Sequence, residues 1–130
     1  LEQSNFEIVA YIRNMNTIEI GGVQHPFFFN MKAIESVMTE FNLADFSQLG
    51  ESMSSTSVAE SLKFARYCAY FGIQSGYKKQ REKFPFIDID DFADAIESFH
   101  EIEPAIHAFT KACEEFFKPR KNETGGDLGN

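Results

Sequence analysis

The stretch Ser57-Val58-Ala59-Glu60-Ser61-Leu62-Lys63-Phe64-Ala65-Arg66-Tyr67-Cys68-Ala69-Tyr70-Phe71-Gly72-Ile73 decides how this chain folds. Its first four residues form a capping box, in which Ser57 bonds forward to an amide and Glu60 reaches back. The helix that follows is apolar around most of its girth. Val58, Leu62, Ala65, Ala69 and Ile73 make one stripe, and Phe64, Tyr67, Cys68 and Phe71 make an adjoining one. Only Lys63, Arg66, Tyr70 and Gln74 are left for solvent. A helix of this kind lies at the centre of a bundle or at a subunit contact. Gly72 and Gly76 are expected to weaken its end near residue 76.

Working toward the N-terminus, a polar Ser-rich loop covers Glu51 to Thr56, and one helical turn is expected over Ala44 to Leu49. Before it, Met31, Ile34, Met38 and Phe41 form the apolar stripe of a shorter helix, with Asn30 as its N-cap and Asn42 as its end. Upstream again, Thr17 to Ile20 and Val23 to Phe29 flank Gly21-Gly22, which predicts an antiparallel hairpin because the tight turn needs positive φ. Pro26 belongs on an edge of that sheet or at a bulge. Phe6, Ile8, Ala10 and Ile12 alternate as in a further strand.

Toward the C-terminus, Lys78, Lys79, Arg81 and Lys83 form a basic patch where cations oppose the helix dipole favourably. Pro85 bars continuation. Asp88, Asp90 and Asp91 open the next helix, whose buried face is Phe92, Ala95, Ile96 and Phe99. Pro104 marks the first turn of the last helix, capped near Ile102 or Glu103. Ile106, Phe109, Cys113 and Phe116 make its apolar face, and Pro119 ends it. The predicted class is α+β and mostly helical. An N-terminal β-hairpin or small antiparallel meander packs on a bundle of about four helices. Residues 1–118 form a single globular domain, with 1–14 as an extension, and 119–130 form a disordered polar tail. No internal repeat is visible.

Composition narrows the function. Twelve Lys and Arg against twenty Asp and Glu leave a net charge of −8 over 130 residues. That balance argues against nucleic acid and against anionic lipid, both of which select clustered cations. No apolar run reaches the roughly twenty residues of a membrane span, and the first residues lack the pattern of a signal peptide. Cys68 and Cys113 stand alone on apolar stripes and read as core thiols of a reducing compartment; a disulfide is the competing reading.

Chemistry-bearing patterns are few. The cluster Asp88, Asp90, Asp91 and Asp94 does not fit a Ca²⁺ loop, since its sixth and twelfth positions are Ala93 and Phe99; helix capping is the better reading. Glu97-Ser98-Phe99-His100 matches the ExxH half of a carboxylate-bridged di-metal site. The second copy is missing, because His107 follows Glu103 by four residues. His25, before Pro26 in a strand, reads as inert. There is no GxSxG, Walker A or GxGxxG motif. Asn122-Glu123-Thr124 is a formal sequon that a cytosolic protein would not use.

The Phe27-Phe28-Phe29 triplet places Phe27 and Phe29 on one face of a strand and Phe28 on the other. A chain this small covers one face readily; either Phe28 is then left for a partner, or the fold covers both faces. Phe28, Phe64, Tyr67, Tyr70, Phe71 and Tyr77 are therefore the candidate protein-binding residues. For Phe64, Tyr67 and Phe71, ordinary core packing is the competing reading. No catalytic, metal or cofactor-binding residue is assigned.

The order of elements carries a resemblance. A Gly-turn hairpin, Thr17 to Phe29, leads directly into Asn30-Met31-Lys32-Ala33-Ile34-Glu35. After a polar loop comes Ala65-Arg66-Tyr67-Cys68-Ala69-Tyr70-Phe71-Gly72-Ile73. A basic turn then precedes Phe86-Ile87-Asp88-Ile89-Asp90-Asp91-Phe92-Ala93-Asp94-Ala95-Ile96. From Met15 to Lys118 this resembles the tail assembly chaperones of long-tailed bacteriophages and prophages. The resemblance implies a non-enzymatic, cofactor-free protein of the bacterial host cytoplasm that is absent from the mature virion. Such a protein coats the tape-measure protein, helps recruit tail-tube subunits and self-associates. It is also often made in a longer, frameshifted form, for which the Gly125-Gly126 tail suits a junction. The family carries no diagnostic ligand motif, so no functional residue is transferred. Two other readings stand beside it, a metal-binding carboxylate helical protein built on Glu97 and His100, and an acidic regulatory module that binds another protein.

Overall fold

A computed structural model describes residues 16–43 and 57–117. The elements run β1 (Asn16–Ile20), β2 (Val23–Phe27), α1 (Met31–Glu40), α2 (Val58–Gln80), α3 (Ile89–Ala95) and α4 (Phe99–Phe117). The fold is thus α+β and mostly helical, with one antiparallel hairpin on the N-terminal side of four helices among the described residues. The expected strand over Phe6 to Ile12, the turn over Ala44 to Leu49 and the tail from Lys118 lie outside the described residues.

The hairpin closes as its glycines dictate. Gly21 and Gly22 sit at φ +58° and +83°, and Ile20 pairs with Val23 and Asn16 with Phe27. Two central residues at positive φ match the strand twist. Ile18 and Ile20 point into the core while Thr17 and Glu19 face out. Both strands of a two-stranded sheet are edges, and there Pro26 is tolerated.

α2 runs through the core of the fold and packs on β2, α1, α3 and α4. Ala65, Cys68, Ala69 and Ile73 are completely buried on it. The capping box is in place, with the Glu60 amide donating to Ser57 Oγ at 3.2 Å. The helix does not weaken at its glycines, as residue type alone predicts, but continues to Gln80 and ends at Arg81 in the left-handed region, φ +61°. The glycines serve contact instead. A Cβ on Gly76 would stand 2.5 Å from the Pro26 carbonyl, and one on Gly72 would enter the Phe27 ring. The strand therefore lies directly on helix backbone, and the Phe28 amide donates to the Gly72 carbonyl at 3.0 Å.

Several helix faces differ from the sequence reading. On α3 only Phe92 is buried, because the helix stops at Ala95, which leaves Ile96 as its C-cap and Phe99 as the first residue of α4; on α4 Phe116 is exposed. On α1 the buried residues are Ala33, Ile34 and Val37, so the stripe is rotated and Met31 lies exposed. On α2, Val58 and Leu62 are exposed, whereas Tyr70 is half-buried because the loop Phe84-Pro85-Phe86 folds back over it.

The last helix also starts earlier than Pro104 suggests. Ser98 caps it, accepting from the His100 amide at 3.2 Å, and Glu101 supplies the reciprocal carboxylate to the Glu97 amide at 2.8 Å. Pro104 consequently lies inside α4, on its exposed side. The other oxygen of Glu101 accepts from the Gly21 amide at 2.8 Å and ties the hairpin turn to the helix start. Asp88 and Asp91 cap α3 in the same reciprocal way, at 2.9 Å each. No helix among the described residues is long and apolar enough to cross a membrane.

Candidate functional site

Ring contacts join most of the aromatic side chains into one chain. Phe27 meets Phe29, which meets Phe109; Phe109 meets Phe64, and Phe64 meets Phe41. From Phe41 the contacts pass through Tyr67, Phe71 and Tyr70 to Phe84, Phe86 and Phe92. Most are edge-to-face, the arrangement the ring quadrupole favours.

Five of the six candidate residues belong to this chain. Phe64 is 7% exposed and packs edge-on between Phe41 and Phe109, so it is core and offers a partner nothing. Tyr67 and Phe71 are half-buried and stacked on each other, with the Arg66 guanidinium 5.5 Å from the Tyr67 ring. Tyr70 touches Phe71, Phe84 and Phe92, and burial followed by the nearby Asp88 raises its pKa. Tyr77 touches Phe84 and places its hydroxyl 2.7 Å from His25 Nδ1. Phe28 stands apart, one residue beyond the end of β2, so the expected strand through Phe29 stops short of it. It is half-buried, with the Lys79 ammonium 4.1 Å from its ring centre, so a cation covers the face expected to be open.

The residues that do lie open are different ones. Met31 on α1 and Phe116 and Phe117 at the end of α4 are each about half exposed or more. They line a cleft of about 460 Å³ between the two helices, with Ile34, Met38 and Leu43 as its apolar floor. Glu35 lines it from α1, and Glu114 and Glu115, both exposed, precede the phenylalanines in the sequence. Sequence reading of stripes missed this groove, yet a signal was present. Adjacent Phe116 and Phe117 cannot both face one core, and Met31 and Met38 are seven residues apart on one helix face.

The remaining chemical candidates are accounted for by structure. Cys68 and Cys113 are free and completely buried. Burial raises both thiols, Cys113 to about 11 with Glu114 adding to the effect, so both are protonated and unreactive at neutral pH. Among the described residues no three His, Cys, Asp or Glu side chains converge on a point that could hold a metal ion. His100 is almost fully exposed and lies 3.6 Å from Glu103. His25 is buried against Phe86 and Tyr77, and burial lowers its pKa.

Compared with family models, curated proteins and solved structures, the chain matches none of them.

Proposed function

We propose that this chain is a non-enzymatic tail assembly chaperone of the long-tailed phage type. It keeps a tape-measure protein soluble, helps bring tail-tube subunits to it, and self-associates. It works in the cytoplasm of the bacterial host and is left out of the finished virion. The observation that carries this reading is the groove of Met31, Ile34, Met38, Leu43, Phe116 and Phe117.

A groove between two helices takes the apolar face of a third helix, and a tape-measure protein is a long helical client. Methionines at Met31 and Met38 adapt to successive, unlike segments of such a client, because the thioether chain is unbranched and polarizable. Glu35, Glu114 and Glu115 favour client segments with Lys or Arg beside the apolar stripe. The net charge of −8 keeps a protein with open aromatic rings from precipitating on itself.

The test is co-expression of the full chain with the tape-measure protein of its own genome. A soluble complex is expected with the wild type, and Met31→Glu and Phe117→Glu should each weaken it while leaving the fold intact, since both side chains are exposed. A client equally soluble alone, or a complex that both variants preserve, would end this reading.

A further inference from the structure

His25 is buried where β2, α2 and the loop between α2 and α3 meet. It is 5% exposed, and its Nδ1 lies 2.7 Å from the Tyr77 hydroxyl. Its ring stands edge-on to Tyr77 and tilted against Phe86. Ile18 pairs with it across the hairpin. None of these neighbours is charged at neutral pH. Burial, and then Glu82, raise the pKa of Tyr77, which therefore stays a phenol. Glu101, which reaches the hairpin turn from α4, has both oxygens on backbone amides. Burial alone moves the pKa of His25, and moves it down, so no charged group offsets the cost of protonating it in place.

The walls of this cage are held unequally. β2 is fastened to α2 by backbone contact at Gly72 and Gly76. The loop is pinned at its two ends. The Glu82 amide donates to the Tyr77 carbonyl at 3.0 Å, and the Ile87 amide donates to Asp91 Oδ2 at 2.9 Å. Between those points Lys83, Phe84, Pro85 and Phe86 make no hydrogen bond or ion pair among the described residues. Ring contacts hold them instead, Phe84 on Tyr70 and Tyr77, and Phe86 on Phe92 and His25. A segment held this way opens at lower free energy than the helices and strands around it.

From this geometry we propose that Lys83 to Phe86 form a latch over His25 that opens when the imidazole takes up a proton. An imidazolium has two N–H donors and a full charge. In the closed cage its Nδ1 meets the Tyr77 hydroxyl, but no carboxylate balances the charge. Water reaches the ring once Phe86 swings away. The open form binds the proton more readily than the closed one, so the balance shifts toward opening as pH falls below 6.5. Opening bares Phe92, otherwise completely buried, together with Tyr70 and Tyr77. This apolar surface shares no residue with the groove.

The test is nitrogen relaxation dispersion on the full chain at pH 7.5, 6.5 and 5.5, with the His25 ring shifts followed in the same samples. Exchange at the Phe84 and Phe86 amides should report an open population that rises by up to about tenfold across this range. The Phe64 and Phe109 amides, in the core, should show no such rise. His25→Gln should abolish the pH dependence, and Phe86→Ala should bring the His25 pKa back toward 6.5. The second variant leaves His25 in place and decides the matter where the first does not fold. An open population that stays flat while His25 titrates, one that rises as much in His25→Gln, exchange shared equally by Phe64 and Phe109, or a His25 pKa that Phe86→Ala does not move would overturn the latch.

Discussion

Gly76→Ala tests the packing on which the whole arrangement rests. In an exposed helix interior, glycine to alanine gains about 1 kcal/mol from backbone entropy and propensity. At residue 76 the new Cβ would lie 2.5 Å from both the carbonyl carbon and the oxygen of Pro26, and 2.7 Å from the Phe27 nitrogen. Ordinary contacts start at about 3.4 Å, and every obstructing atom is backbone, so no rotamer change relieves the clash. β2 must therefore retreat by nearly 1 Å. That strains the Phe28 amide bond to Gly72 and lifts Phe27, 4% exposed, out of its seat. Overpacking of this kind costs about 1–3 kcal/mol, and with every obstacle backbone the upper part of that range applies and outweighs the gain of about 1 kcal/mol, so a net loss of up to about 2 kcal/mol is expected. Urea unfolding should show the midpoint falling with the slope unchanged. Gly72→Ala gives the contrast, because its obstacle is the Phe27 side chain. Pairing Gly72→Ala with Phe27→Leu should recover part of the loss, whereas the same second change should not rescue Gly76→Ala. An alanine at 76 that raises the midpoint would refute the close strand–helix contact.

Three further outcomes follow from the same structure. Glu101→Ala removes one carboxylate that serves two amides, Gly21 and Glu97, and should cost about 2 kcal/mol, seen as a fall in melting temperature of about 10 °C; a change within 2 °C would show that the two bonds contribute nothing. His25 has its pKa lowered by burial, so the unfolded chain binds the extra proton more readily; the wild type should lose stability as pH falls below 6.5, and His25→Gln should lose less between pH 7.5 and 5.5 in parallel urea titrations. Cys68 and Cys113 should resist a thiol reagent at pH 7.5 until the protein unfolds; rapid labelling of the native protein would contradict their burial.

Much of the fold can be read directly from the chain. The Gly21-Gly22 turn, the Asn30 cap, the Ser57–Glu60 box and the Asp88 cap all act within four residues, and each behaves as its local chemistry requires. The same local rule found in Ser98 and Glu101 starts α4, although Pro104 draws the eye to a later start. Asp88 and Asp91 of the acidic cluster cap α3 under the same local rule. Stripes at helical spacing correctly marked Ala65, Ala69, Ile73, Phe109 and Cys113 as interior. The candidate binding residues are a different matter. Phe64 is sealed, Phe28 is covered by Lys79, and the open apolar residues, Met31, Phe116 and Phe117 at the groove and Val23, Val58, Leu62 and Ile87 elsewhere, are none of the six candidates.

Short-range hydrogen bonding and hydrophobic period are properties of a dozen neighbouring residues, and so the turns and caps of the described residues were settled along the chain. Which side of each helix stays wet depends on what packs against it from far away. The roles of Gly72 and Gly76, the cover over Tyr70 and the outward turn of Met31 all arise from contacts between segments remote in sequence. A periodicity cannot encode those contacts, because it reports that a face is apolar and not which neighbour will cover it.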